Sequence, residues 1–180
     1  MSPSTLELVL GGARSGKSDW AVARAVEIGG AVLFVATAQP LDGDMAERIA
    51  RHRRARPPGW RTLEEPLAVT ERLRALERAY DVVILDCLTL LVSNWLLAEP
   101  AETSSAEPVG QRTAALCAAL RARGRHAIVV SNEVGSGIVP QVPLARRFRD
   151  RLGTANRVVA READAAHLLV AGLPLSLKSL

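Results

Sequence analysis

Five short segments of the chain are continuously apolar and rich in Val, Ile and Leu. They are LELVL (6–10), AVLFVAT (31–37), DVVILD (81–86), HAIVVS (126–131) and HLLVAG (167–172). Strands that are buried on both faces have this pattern, because helices cover both sides of a parallel sheet. The pattern therefore predicts five β-strands inside a covered sheet.

Stretches with helical periodicity separate these strands, at residues 17–29, 66–80 and 109–124. Alternating strands and helices indicate a three-layer α/β/α fold with a mostly parallel sheet. The closing segment LPLSLK, residues 173–178, is expected to pair back as an antiparallel edge strand. A chain of 180 residues has the length of one ordinary domain, so we expect residues 1–180 to form a single catalytic domain.

One segment has no core-facing pattern. Residues 98–108, AEPAETSSAEP, combine Ala, Glu, Pro, Ser and Thr. We expect this segment to be an exposed loop or a disordered insertion.

Composition narrows the class of protein. The chain is 48% hydrophobic and 23% charged, with a formal net charge of +4, which is typical of a globular protein that binds acidic ligands. Cys87 and Cys117 have no metal-ligand spacing, so neither a zinc site nor a disulfide framework is indicated. No secretion signal or membrane span is visible near the N-terminus, and we expect a cytoplasmic protein.

A phosphate-binding motif follows the first predicted strand and opens the first predicted helix. Its residues are Gly11, Gly12, Ala13, Arg14, Ser15, Gly16, Lys17 and Ser18, and they match G-x-x-x-x-G-K-[ST]. Glycines let the backbone wrap around phosphate oxygens, and the helix N-terminus favours negative charge. We expect Lys17 to reach the β- and γ-phosphates and Ser18 to bind Mg²⁺.

An acidic partner for the metal is expected at the end of a neighbouring strand. Asp86 follows four apolar residues, and a carboxylate is costly to bury there without a cation or hydrogen bonds. A capping role in the following turn is the alternative. Thr37 and Ser131 end adjacent predicted strands and are further candidates for the same crevice.

The segment LDGDMAERIARHRRARPPGW, residues 41–60, predicts an additional helix. Asp44 is its expected N-cap, Glu47 is the capping-box partner, and residues 57–58 (Pro-Pro) stop it. Spacing by four and three residues puts Met45, Ile49 and His52 on one apolar, inward face. Five arginines surround the histidine, namely Arg48, Arg51, Arg53, Arg54 and Arg56.

Three interpretations of His52 follow from these residues. A buried structural histidine fits the inward face, since histidines are common in protein cores. A nucleophile toward a polyphosphate also fits, because neighbouring cations disfavour the imidazolium and hold phosphates. A surface that binds nucleic acid fits least well, because the histidine faces inward and only 3% of the residues are aromatic.

Several segments together resemble the bifunctional adenosylcobinamide kinase and adenosylcobinamide-phosphate guanylyltransferase family of cobalamin biosynthesis. The similar segments run in the family's order through nearly the whole chain. They are GGARSGKS, ATAQPLDGDMAERIARHRRARPPGWRTLEEP, LDCLTLLVSN, VSNEVGSGIVP and ARRFRDRLGTANRVVAREADAAHLLVAGLPLSLK. The resemblance implies a P-loop, RecA-like fold and two reactions: phosphorylation of adenosylcobinamide with ATP or GTP, then transfer of GMP from GTP.

The resemblance also implies roles for single residues. A histidine of the family attacks the α-phosphate of GTP and forms a guanylyl-histidine, and the matching position is His52. Lys17 joins it as a catalytic residue, and Ser18 and Asp86 would hold Mg²⁺. The implied nucleotide contacts, besides Gly11 to Ser18, are Ala36, Thr37, Ala38, Arg53, Arg54, Ala55, Arg56, Glu64 and Asp86.

The partners implied by the resemblance are a corrinoid substrate and further copies of the chain, with a trimer as the expected state. Asn132 and Glu133 follow a predicted strand and are candidates to face the corrinoid or a metal-bound water. The arginines Arg146, Arg147 and Arg149 fit either a solvated helix face or a subunit contact. Two rival functions are a small-molecule kinase without a covalent intermediate and a RecA-type module that binds nucleic acid.

Overall fold

The computed structural model describes residues 4–40, 42–54, 56–99 and 107–179. Strands and helices alternate along most of the chain. The elements are β1 (Thr5–Gly11), α1 (Lys17–Ile28), β2 (Val32–Ala36), α2 (Gly43–Arg54), β3 (Arg61–Glu64), α3 (Val69–Arg74), β4 (Tyr80–Asp86), α4 (Leu88–Ala98), α5 (Glu107–Arg123), β5 (Gly124–Asn132), α6 (Pro143–Glu162), β6 (Ala165–Val170) and β7 (Leu173–Lys178).

The strands of the described residues form one seven-stranded sheet in the order β3-β2-β4-β5-β1-β6-β7. All neighbouring pairs are parallel except β6 and β7, which are antiparallel. This arrangement confirms the predicted mostly parallel sheet and its antiparallel C-terminal edge strand.

Helices pack on both faces of the sheet, as predicted. On one face, Leu8 and Leu85 belong to a core cluster with apolar side chains of α3, α4, α5 and α6. Their chain neighbours Val9 and Ile84 belong to a second cluster with Ala21 of α1. Successive residues of a strand point to opposite faces, which explains why the central strands are apolar at every position.

The predicted helix over residues 66–80 is wrong in length, because α3 covers only Val69–Arg74. Arg123 of α5 ends it: the Nε atom donates to the carbonyl of Leu73 and an Nη2 atom to that of Arg74, both at 2.8 Å. Tyr80 already pairs with Gly124 as the first residue of β4. Tertiary contacts therefore override the helical periodicity of the segment.

The predicted N-cap of α2 is also wrong. Asp42, and not Asp44, accepts a hydrogen bond from the backbone N–H of Met45 at 2.7 Å, and Asp44 lies inside the helix. Because an N-cap side chain binds the N–H two or three residues on, the earlier of the two aspartates takes the position. Glu47 then lies too far along α2 to form the predicted capping box.

The sequence pattern does not predict β3 or α4. β3 is four residues long at the edge of the sheet and mostly exposed, so it lacks an apolar run. α4 is buried almost all round and therefore has no polar face to reveal helical periodicity. None of the described helices is long and apolar enough to cross a membrane.

The segment between α4 and α5 is shorter than the loop predicted over residues 98–108. Ala98 ends α4 and Glu107 begins α5, while residues 100–106 lie outside the described part of the chain. Glu99 is not exposed: 12% of its side chain is accessible, and its carboxylate forms ion pairs with Arg112 and Arg151. These pairs connect the end of α4 to α5 and α6.

Replacing Glu99 with Ala should destabilise the protein by about 3 kcal/mol, because it removes a carboxylate that compensates the buried guanidinium charge of Arg151. Urea unfolding followed by circular dichroism measures the change. Arg112→Ala is the matched control, since it breaks an ion pair with the same carboxylate through a half-exposed side chain and should cost about 1 kcal/mol or less. Equal effects of the two changes would contradict a special role for the buried pair.

Candidate active site

The motif GGARSGKS forms the turn between β1 and α1. Gly16 precedes the helix with φ +87°, a left-handed conformation that favours glycine, and an added Cβ there would lie 3.3 Å from the Cα of Gly172. The Nζ atom of Lys17 donates to the carbonyl of Gly12 at 2.8 Å, so the lysine spans the turn. The motif thus has the strand, turn and helix that a phosphate loop requires.

A cavity of about 190 Å³ opens beside this loop, at the carboxyl edge of the sheet. The last residues of four adjacent strands line it: Ala36 of β2, Glu64 of β3, Asp86 of β4 and Asn132 of β5. Open α/β sheets bind ligands at this edge. The remaining lining residues are Lys17, Ser18, Phe34, Ala38, Pro40, Met45, Ile49, His52, Arg53, Arg56, Cys87, Thr89 and Leu90.

His52 faces this cavity together with Met45 and Ile49, as the helical spacing predicts. One third of its side chain is accessible, and its Nδ1 atom lies 4.0 Å from Oδ2 of Asp86. The sequence pattern places only cations around His52. The structure adds the Asp86 carboxylate, 4.0 Å from the ring.

Asp86 is the most strongly perturbed acid of the site. Only 13% of its side chain is accessible, and burial raises the pKa of the carboxyl above its ordinary value. A hydrogen bond from Ser18 and the nearby His52, Lys17 and Arg56 act in the opposite direction on this pKa. A cation bound at Asp86 would further favour the charged carboxylate.

The donor set of this cavity suits Mg²⁺. A hydroxyl and one carboxylate, from Ser18 and Asp86, line the cavity together beside the phosphate loop, and Ser18 acts against the burial that raises the pKa of Asp86. Among the described residues, no group of three or more His, Cys, Asp or Glu side chains could hold a metal ion. Mg²⁺ in phosphate sites is commonly bound by one or two protein oxygens plus substrate phosphates, so this small set fits the ion.

The arginines at and just after the end of α2 divide into two groups. Arg53 and Arg56 line the cavity, whereas Arg54 is exposed and does not. Arg53 forms an ion pair with Glu64. The guanidinium of Arg56 lies 3.9 Å from the ring centre of Phe34, and burial lowers its pKa. Ala55, a predicted nucleotide contact, lies outside the described residues.

Thr37 was predicted to contact the nucleotide together with Ala36 and Ala38, but it does not line the cavity. Ala36 and Ala38 line the cavity, but Thr37 is fully buried and does not. Its hydroxyl donates to the carbonyl of Cys87 at 2.7 Å and accepts from the N–H of Cys87 at 3.0 Å. It therefore holds the backbone directly after Asp86.

Five residues line the cavity without having been predicted there from the sequence: Phe34, Pro40, Cys87, Thr89 and Leu90. Phe34 lies inside an apolar run, where nothing separates a ligand contact from a core residue. Thr89 and Leu90 belong to α4, which the pattern did not predict. Ser131, a candidate for the crevice, is fully buried and hydrogen-bonded to Asn156.

The fold and the site define a P-loop nucleotide-binding protein of the α/β/α class. The model of the family described as cobinamide kinase / cobinamide phosphate guanyltransferase matches residues 7–177. The chain therefore belongs to this family, which confirms the family and the transferase activities predicted from the motifs.

Three relatives of known name match nearly their whole length. The bifunctional adenosylcobalamin biosynthesis protein CobP of Pseudomonas aeruginosa is 45% identical over 172 residues, which is 96% of each chain. The bifunctional adenosylcobalamin biosynthesis protein CobU of Escherichia coli is 38% identical over 179 residues, or 95% of this chain and 98% of that protein. The CobU protein of Salmonella typhimurium is 39% identical over 181 residues, with the same coverage.

The thiol of Cys87 should be unreactive although it lines the cavity. Burial and the neighbouring Asp86 raise the pKa of Cys87 to about 11, so only about one thiol in ten thousand is ionised at pH 7. Iodoacetamide should therefore modify the native protein very slowly at pH 7, and about tenfold faster for each added pH unit up to pH 9. Mass spectrometry of a Cys117→Ser variant isolates Cys87, and rapid modification at pH 7 would contradict the assignment.

Proposed function

We propose that this protein phosphorylates the hydroxyl of adenosylcobinamide and then transfers GMP from GTP to the resulting phosphate, with both reactions at the cavity beside the phosphate loop. The observation that carries the proposal is the position of His52. This histidine is partly accessible and lines the same cavity as Lys17, Ser18 and Asp86. A nucleophile and the phosphate-binding groups are thus within one small volume.

In the guanylyl transfer, an unprotonated ring nitrogen of His52 attacks the α-phosphorus of GTP. The bond from the α-phosphorus to the bridging oxygen breaks, and pyrophosphate leaves with the electron pair. Lys17, Arg53 and Arg56 offset the negative charge that develops on pyrophosphate. The phosphate oxygen of the corrinoid substrate then attacks the same phosphorus, and His52 departs as the free imidazole.

In the kinase reaction, Gly11 to Ser18 bind the triphosphate of ATP or GTP through backbone N–H groups and the Lys17 ammonium. Ser18 and Asp86 would hold Mg²⁺, and the ion would neutralise charge on the phosphates. Glu64 and Arg53, which form an ion pair at the rim of the cavity, serve as further nucleotide contacts.

The proposal includes the cytoplasm as the compartment and a homo-oligomer, a trimer on the family resemblance, as the working form. An apolar stripe on the edge strand supports self-association. Leu173, Leu175 and Leu177 of β7 are 73%, 58% and 54% accessible. Contiguous apolar side chains at a sheet edge favour contact with another protein surface.

Incubation with GTP labelled at the α-phosphate tests the covalent step. Wild-type protein should retain acid-labile, base-stable label, and His52→Ala should abolish the label because it removes the nucleophile. The same variant should keep kinase activity, since phosphoryl transfer to the corrinoid does not pass through the histidine.

His126→Gln is the matched control, because His126 lies near the opposite end of β5 and its ring bonds to Thr5. This variant should label like the wild type. Wild-type protein with kinase activity and no label would favour a kinase without a covalent intermediate. Steeply salt-dependent binding to DNA or RNA would favour the RecA-type module instead.

Asp86→Asn should separate metal binding from folding. Burial disfavours the carboxylate in the free protein, so the neutral amide should leave the melting temperature unchanged or raise it. Both Mg²⁺-dependent activities should fall by about a hundredfold or more, since the amide is a weaker ligand without charge. Calorimetry and activity assays at several Mg²⁺ concentrations measure the two effects. A large drop in melting temperature would instead assign Asp86 a structural role.

A further inference from the structure

Asn132, the last residue of β5, lies between the two strands that carry the phosphate-binding groups. In the sheet β5 is flanked by β4, which ends at Asp86, and by β1, which ends at Gly11 where the phosphate loop begins. Asn132 pairs with Gly11, while Asp86 pairs with Val130, two residues before the end of β5. Asn132 lines the same cavity as Asp86 and Lys17. Asn132 therefore lies between the strand that carries Asp86 and the strand that leads into the phosphate loop.

A buried polar network fixes the backbone of Asn132 on both sides. Its N–H donates to the hydroxyl of Thr89 at 2.7 Å, and its carbonyl accepts from the amide of Asn156 at 2.9 Å. Asn156 in turn accepts from the hydroxyl of Ser131 at 2.7 Å. Ser131 is fully buried, and Thr89 and Asn156 are each 6% accessible.

This network has a consequence for the side chain of Asn132. Buried polar groups are tolerated when their hydrogen bonds are satisfied, and a satisfied network rigidifies the chain around it. Within the described residues, these hydrogen bonds are made by the backbone of Asn132 and do not use its side-chain amide, while the residue lines the cavity. A rigid backbone presents that amide at a defined position.

We propose that the amide of Asn132 contacts the γ-phosphoryl group of the bound triphosphate and orients it toward the acceptor hydroxyl, an inference that rests on the proposed function. The amide group supplies two donors at Nδ2 for a phosphoryl oxygen and an acceptor at Oδ1 for the incoming hydroxyl. Because the amide is neutral, it orients the phosphoryl group without adding to the positive charge that Lys17 supplies.

The two reactions of the site use this contact differently. In the kinase reaction, the bond between the γ-phosphorus and the β–γ bridging oxygen breaks, a bond to the acceptor oxygen forms, and the hydroxyl proton passes to solvent. In the guanylyl transfer, the reacting atom is the α-phosphorus, and the γ-phosphoryl group leaves unchanged as part of pyrophosphate. Asn132 therefore orients a reacting group in the first reaction and only a leaving group in the second.

Asn132→Ala in the full chain tests the contact. Its affinity for guanosine 5′-(β,γ-imido)triphosphate with Mg²⁺ should fall by about tenfold, the size expected for a lost hydrogen bond to a charged group. Its affinity for GDP should stay within about twofold of the wild type, since GDP has no γ-phosphoryl group. The kcat of the kinase reaction should fall by about tenfold to a hundredfold, while labelling of His52 at saturating GTP persists.

Two further variants keep the test decisive. Asn132→Asp preserves the shape, removes the donors and adds negative charge, so it should lower triphosphate affinity even more than alanine. Asn156→Ala removes the bond to the Asn132 carbonyl outside the cavity and should shift the triphosphate-to-GDP affinity ratio in the same direction by a smaller factor. A merely structural residue would change both affinities together.

The outcomes separate this inference from the proposed function. The role of Asn132 is overturned if the wild type has both activities and neither Asn132→Ala nor Asn132→Asp changes the triphosphate-to-GDP affinity ratio or the kcat of the kinase reaction. Equal losses for GDP and the triphosphate analogue, or a parallel loss of His52 labelling at saturating GTP, also overturn it. A wild-type protein without either activity contradicts the proposed function, whereas a changed affinity ratio would still support the γ-phosphoryl contact.

Discussion

The parallel alignment of β3, β2, β4 and β5 is the constraint on which the site depends. Parallel strands end at the same edge of a sheet, so their last residues meet although they are far apart in the chain. Glu64, Ala36 and Asp86 lie in one register row, and Asn132 follows at the end of β5. The helices that bury the sheet on both faces leave this edge open. One small cavity thus collects an anion-binding loop, a buried acid and a histidine.

Opposing charges organise that cavity. Burial disfavours the charged form of Asp86, and its cationic neighbours offset this effect only in part. A metal cation is therefore favourable at the carboxyl end of β4. Arg53 and Arg56 stay at the cavity through an ion pair with Glu64 and a contact with the Phe34 ring, respectively. Two arginines at and just after the end of α2 are therefore held at the cavity by specific partners.

Much of the fold could be predicted because the central strands are apolar at every position and the phosphate motif has a fixed strand–turn–helix setting. The prediction failed where tertiary contacts decide. Arg123 ends α3 early, α4 has no polar face to show its period, and β3 is too short and polar to stand out. Asp42 replaced Asp44 as N-cap because two aspartates compete within one turn. In each case the deciding partner is distant in sequence or the local signal is ambiguous.

By itself the sequence determined the parallel α/β fold, the phosphate loop and the face of α2 on which His52 lies, because these follow from periodicity and from a motif with local geometry. Only the tertiary structure decided which arginines reach the cavity and that Asp86 lies beside His52. It also decided that Thr37 bonds to the backbone of Cys87 and does not line the cavity. It also brought Thr89, Ser131 and Asn156 together around Asn132. These contacts depend on strand order and helix packing, and no local pattern of residues specifies them.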